Sequence, residues 1–225
     1  REDALRAVAS EIGVAANVEP CDASDGDAVL AMADRVRSAH GVPDVVINSA
    51  GAGEWKRIEH TPPDEAVAMM GAPHFAAFFT THAFMNDMLD RGSGIFIHIS
   101  SPVSLFPWAS SVGYAASRWA MRGMHEAMLY DLHGTGVKSC HVVFGKVSSE
   151  YFDHNPGAEE RIPKIARTVR TLTPEDCARL LARQIQHPKK QAVYPFMMRV
   201  YYWMSLVVPG LVRTLLRWTG HKGRD

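Results

Sequence analysis

The stretch DVVINSAG, residues 44–51, decides the fold. Val45, Val46 and Ile47 form an unbroken apolar run that closes on Asn-Ser-Ala-Gly. A strand with one wet face alternates apolar and polar residues, whereas an unbroken run belongs to a sheet covered on both faces, as parallel sheets are. GIFIHIS at 94–100 and VKSCHVVF at 137–144 also read as strands, and a short strand is expected from Ala192 to Tyr194. Helical periodicity fills the intervals, around 63–90, around 112–134, and from Pro174 to His187 with Thr173 as the cap. Upstream, Ala28 to Ala39 reads as a helix with Val29, Leu30, Met32, Ala33 and Val36 inward, preceded by a strand near 15–21. Residues 1–13 read as the end of a helix, with Leu5, Val8, Ala9 and Ile12 on one face and Gly13 as a left-handed stop. Strand and helix alternate throughout, which predicts a doubly wound α/β parallel sheet whose ligands lie beyond the carboxyl ends of the strands.

Composition narrows the function. The 225 residues, 47% of them hydrophobic, suffice for one domain with a sizeable core. Lys plus Arg and Asp plus Glu both number 24, so no net field gathers nucleic acid or anionic lipid. The three cysteines, Cys21, Cys140 and Cys177, stand at wide spacings without a CxxC pair, which suits a reduced, cytoplasmic setting. The eleven histidines form no metal-ligand pattern, and no GxSxG elbow precedes a helix as a serine hydrolase requires. No secretion signal opens the chain, and Arg1 in place of Met suggests a native start upstream.

Three strand ends carry small or glycine-containing segments: NSAG (48–51), SS (100–101) and FGKVSS (144–149). Singly, each is an ordinary strand-to-helix turn. In combination with YAASR at 114–118 they describe chemistry. Tyr114 and Arg118 are four apart and share a helix face, where a cation can lower a phenol's pKa from its usual value near 10. Ser101 lies thirteen residues before Tyr114, at a strand end. Carbonyl reduction needs this pairing: one hydroxyl holds the oxygen on which charge builds, and another protonates it.

NSAG, Ser101, YAASR and FGKVSS, in that order and spacing, resemble the NNAG, Ser, YxxxK and PGxVxT hallmarks of the short-chain dehydrogenase/reductase family. The resemblance implies a Rossmann-type fold, NAD or NADP as cofactor, and a small alcohol or carbonyl compound as substrate. It implies Tyr114 as acid/base, Ser101 as the group polarising the carbonyl, and Arg118 as the group that holds the nicotinamide ribose and acidifies Tyr114. It places Asn48, Ala50 and Gly51 on the adenosine side, Gly145, Val147 and Ser149 at the nicotinamide end, and Asp22 against the adenine. It also implies a homo-oligomer, built through the helix carrying Trp119, Met121, Met124, Met128 and Leu129 and the one carrying Phe75, Phe78, Phe79, Phe84 and Met85.

The chain departs from the family pattern in five places. The first strand and glycine-rich TGxxxGxG loop, whose amides hold a pyrophosphate, are expected before Arg1, so residues 1–195 read as a partial dinucleotide-binding and catalytic domain lacking its first β-α-β segment. The residues that separate NAD from NADP are expected in that same segment. Arg118 replaces lysine and cannot readily release a proton. Pro73 stands where the family's relay asparagine belongs and would kink its helix. Ser49 and Phe144 are milder changes. These changes keep open a second reading, a non-catalytic Rossmann-type subunit with a binding or regulatory role.

Residues 196–225 read as an apolar C-terminal helical tail, FMMRVYYWMSLVVPGLVRTLLRW from Phe196 to Trp218, broken at Pro209 and Gly210. Its uncharged run between Arg199 and Arg213 is shorter than the roughly 20 residues that span a bilayer. It suits either a cover over substrate or oligomer interface, or a helix lying in a membrane interface. Its apolar residues favour a lipophilic substrate.

Overall fold

The computed structural model describes residues 1–51 and 53–221. Four parallel strands, β1 (Val45–Asn48), β2 (Gly94–Ser100), β3 (Val137–Phe144) and β4 (Gln191–Tyr194), lie side by side in chain order. Each connection carries helix, as parallel neighbours require: α3 (Pro63–Met70) and α4 (Ala76–Arg91) after β1, α5 (Val112–Asp131) after β2, and α6 (Pro174–Gln186) after β3. Before β1 come α1 (Glu2–Ile12) and α2 (Gly26–His40); after β4 come α7 (Phe196–Val207) and α8 (Pro209–Thr219).

The apolar runs are explained by cover on two faces. Val46 and Phe96 project to one side, where they bury Val29 and Ala33 of α2, Phe84 and Met88 of α4, and Met128 of α5. Ile97, Cys140 and Val142 project to the other, against Leu180 and Leu181 of α6. Register is fixed by the pairs Val46 with Phe96 and Ile97 with Cys140. A slip of one residue would exchange the two faces. Thr173 caps α6 in a capping box with Asp176. The sheet is thus the α/β, Rossmann-type arrangement expected, and all four strand ends open on one side.

Four expectations are corrected. No strand forms near 15–21: those residues run as a partly exposed coil, because a strand needs a ladder partner and no described strand lies beside them. Gly13 stops α1 at φ 87°, yet Leu5, Val8 and Ile12 on that helix are exposed rather than packed. Leu30 of α2 is likewise exposed, on the flank of the stripe that buries Val29 and Ala33. The long helix around 63–90 is two helices joined by a π turn at Gly71–Phe75. Pro73 sits within that turn. It has no amide hydrogen to continue the α ladder, and the wider turn absorbs its ring.

Candidate active site

Beyond the carboxyl ends of β1, β2 and β3 lies a cavity of about 550 Å³. Its wall contains Ser49, Gly51, Ser101, Tyr114, Arg118, Gly145, Val147 and Ser149. Seven of these eight were predicted as site residues from sequence. The eighth, Ser49, is the altered position of the NSAG segment.

Local structure sets each side chain. Ser101 begins a 3-10 turn in which Ser104 donates through its amide and hydroxyl to the Ser101 carbonyl, at 3.0 and 2.7 Å. That turn leaves the Ser101 side chain on the cavity wall. Tyr114 and Arg118, one helical turn apart on α5, are both buried. The Arg118 guanidinium carbon stands 5.1 Å from the centre of the Tyr114 ring. Its Nη1 donates to the Ile99 carbonyl at the end of β2, at 3.1 Å. On its other side Nη2 closes on Gly51, where an added methyl group would collide with it. The glycine of NSAG therefore lets the guanidinium sit where it does, and a side chain there would oblige it to shift, a reason absent from the sequence reading. The Arg118 Nε and the Ser100 hydroxyl, both buried, have no hydrogen-bond partner among the described residues. Both are unspent polar groups in the cavity wall.

The opposite wall follows β3. Gly145 donates its amide to the Tyr194 carbonyl at 2.8 Å, and a side chain there would press on Pro195. Val147 bridges to Leu172, held by Leu172 N–H to Lys146 O at 2.9 Å and Ser148 N–H to Leu172 O at 2.9 Å. This holds the FGKVSS segment against the site, with Phe144, Gly145, Lys146, Val147 and Ser149 on the cavity wall.

Three predicted residues are placed elsewhere. Asn48 is buried in the core side of β1, its amide nitrogen 3.2 Å from the Thr81 hydroxyl and 3.1 Å from His98 Nδ1. It ties β1 to α4 and β2 rather than lining the cavity. Ala50 is exposed beside Gly51. Asp22 lies on an exposed loop before α2, accepting from the Ser24 amide and hydroxyl at 2.9 and 2.7 Å. Those bonds hold its carboxyl below the ordinary carboxylate range.

Sequence reasoning missed an aromatic group. Trp55 donates its indole N–H to the Tyr151 hydroxyl at 2.9 Å, and its ring lies 5.6 Å from that of Tyr114 and 5.3 Å from Trp108. Burial pushes the Tyr151 phenol well above its usual pKa, and the adjacent Tyr114 adds to the rise. Tyr151 is therefore a neutral donor beside Tyr114. No local pattern could have revealed it, since Trp55 and Tyr151 sit in irregular segments 96 residues apart.

The sequence model of the short chain dehydrogenases matches residues 1–159. The chain belongs to the short-chain dehydrogenase family. Among relatives of this short-chain dehydrogenase, retinol dehydrogenase 10-B of Danio rerio is 28% identical over 192 residues, covering 84% of this chain and 56% of its own length. The chain thus spans about half of that relative. A crystal structure of a short-chain dehydrogenase from Streptomyces avermitilis superposes with a TM-score of 0.77 at 20% identity, over 97% of this chain and 84% of that one. One from Burkholderia cenocepacia, solved in complex with NADP, gives 0.77 at 17% identity, over 92% and 81%. At these identities the two structures speak for the fold.

Proposed function

We propose that this short-chain dehydrogenase interconverts an alcohol with a ketone or aldehyde, using NAD or NADP. The observation that carries the reading is the stacking of Arg118 on Tyr114 in the wall shared with Ser101. The residues fit a nicotinamide ribose: glycines at 51 and 145 allow close approach, and buried Arg118 Nε and Ser100 Oγ await partners. Arg118 would hold the ribose, and Gly145, Val147 and Ser149 would flank the nicotinamide ring. Gly51 and Ala50 would pass along the adenosine side, with Asp22 beyond them at the adenine. When bound, the cofactor supplies the hydride.

The chain's own residues do the rest. Ser101 donates a hydrogen bond to the carbonyl oxygen, and Tyr114 delivers a proton to it as charge develops there. Arg118, its guanidinium carbon 5.1 Å from the centre of the Tyr114 ring, packs that ring in place in the cavity wall. In the oxidising direction the Tyr114 phenolate accepts the alcohol proton. Phe106, Trp108, Phe152, Leu215 and Leu216 make the remaining wall strongly apolar, which favours a lipophilic substrate.

Reduction of lipophilic ketones by the protein, with NADH and NADPH compared, tests this reading. Arg118→Lys is expected to match or exceed the parent rate, since lysine keeps the charge and adds a transferable proton. A large loss would assign the guanidinium a specific role. The non-catalytic reading is supported by Pro73, which lies in the π turn at the position that the resemblance assigns to the family's relay asparagine. Cofactor binding without turnover of any carbonyl would favour it.

A further inference from the structure

The C-terminal hairpin of α7 and α8 has two sides. Inward, Val212, Leu215 and Leu216 of α8 line the cavity that holds Tyr114. Outward, the turn between the helices presents six consecutive exposed residues without a polar side chain, Leu206, Val207, Val208, Pro209, Gly210 and Leu211. Val207 is 76% exposed, and Trp203, one turn before it, is 60% exposed. Buried packing therefore does not explain these side chains, and a contiguous apolar tip of this kind marks an interaction surface.

Charge indicates the partner. From Pro195 to His221 the chain contains Arg199, Arg213 and Arg217 and no Asp or Glu, although the whole protein is formally neutral. Beside the tip runs a second cavity, of about 750 Å³, walled by Trp119, Arg122, Leu206, Arg213 and Arg217. Arg122 is engaged there by Glu126 at 2.7 Å and by the Ser104 carbonyl at 3.0 Å. Arg213 and Arg217 are exposed and make no hydrogen bond or ion pair with another described residue. Apolar tip, tryptophans and uncommitted arginines together match the interface of a bilayer, where aromatic and aliphatic groups sit at the acyl boundary and cations meet headgroups. No helix among the described residues is long and apolar enough to cross a membrane.

We propose that the α7–α8 hairpin seats on an anionic lipid surface, with Leu206–Leu211 inserted at the acyl boundary and Arg213 and Arg217 against headgroup phosphates or carboxylates. The cavity wall formed by the same helix α8 then lies at the membrane. Lipid binding by the hairpin does not depend on the reaction proposed above, and binding alone reports it.

The test is co-sedimentation of the full-length protein with vesicles of phosphatidylcholine alone and of phosphatidylcholine mixed with phosphatidylserine, at low and high salt. The expected result is binding to the mixed vesicles that weakens with salt. Replacing Arg213 and Arg217 by glutamine should weaken it roughly 25-fold, about 5-fold for each cation near the surface. Val207→Asp should abolish insertion without unfolding, since the side chain is exposed; an unchanged thermal melt verifies this. Absence of binding by the parent overturns the proposal. So does a concentration-dependent dimer that Val207→Asp dissolves while vesicle binding stays undetected, because the tip would then face a second copy of the chain.

Discussion

Acid should unfold this protein through three histidines outside the cavity. His98 on β2, His141 on β3 and His125 on α5 are fully buried, with ring centres 6.1 Å apart for His98 and His125 and 5.5 Å for His125 and His141. Their neutral forms are held by Asn48 at 3.1 Å, Gln191 at 3.1 Å and Ser139 at 2.7 Å respectively for His98, His141 and His125. Burial, reinforced for His98 and His141 by the neighbouring His125, lowers their pKa from 6.5 to about 3 for both. Burial lowers that of His125 to about 4. The folded state therefore keeps all three neutral while the unfolded chain binds a proton at each below pH 6.5. Stability is complete above that pH and falls as pH drops through it, until the folded values near 3 to 4 are reached. Each pH unit below the unfolded pKa costs about 1.4 kcal/mol per group, hence about 2 kcal/mol each at pH 5 and about 6 kcal/mol for the three. That is comparable with the whole stability of a domain, roughly 5–15 kcal/mol. Urea unfolding at pH values between 7.5 and 5 measures it directly. His98→Leu, which leaves Asn48 its bond to Thr81, should remove about a third of the slope. A flat profile, or an unchanged slope in that variant, would refute the reasoning.

Three substitutions follow from the same geometry. Gly51→Ala should displace the Arg118 guanidinium and lower kcat/KM for carbonyl reduction with little change in melting temperature. Unchanged kinetics would show that the contact does not matter. Thr173→Ala should cost about 1 kcal/mol in urea unfolding by removing the α6 cap, with activity retained. Tyr151→Phe leaves the buried Trp55 indole N–H without its acceptor and should cost about 1–3 kcal/mol. A melting curve identical to the parent's would mean that water replaces the phenol.

The sheet was legible because Val45–Ile47 is an unbroken apolar run and the segments Gly94–Ser100 and Val137–Phe144 are rich in apolar residues between helical stretches, a pattern that survives without knowledge of neighbours. The strand expected near 15–21 does not form, because whether such a segment pairs depends on which strand lies beside it and not on its own residues alone. That Ser101, Tyr114 and Arg118 would share one cavity wall was legible because their spacing lies along one strand end and one helix. Asn48 shows the limit of motif reading: its place in NSAG suggested a ligand contact, and its amide is consumed within the core. Tyr151 and Trp55 were invisible for a different reason, as each reaches the cavity through an irregular segment whose path no periodicity records.

The most direct test of the proposed chemistry is Tyr114→Phe, comparing nicotinamide cofactor binding with the rate of ketone reduction. Only a hydroxyl is removed, so the account predicts an intact fold, retained cofactor binding and a rate lower by on the order of 10² to 10⁴, the range for loss of a general acid. Full turnover in the phenylalanine variant would contradict the assignment of Tyr114 and with it the proposed chemistry of the site.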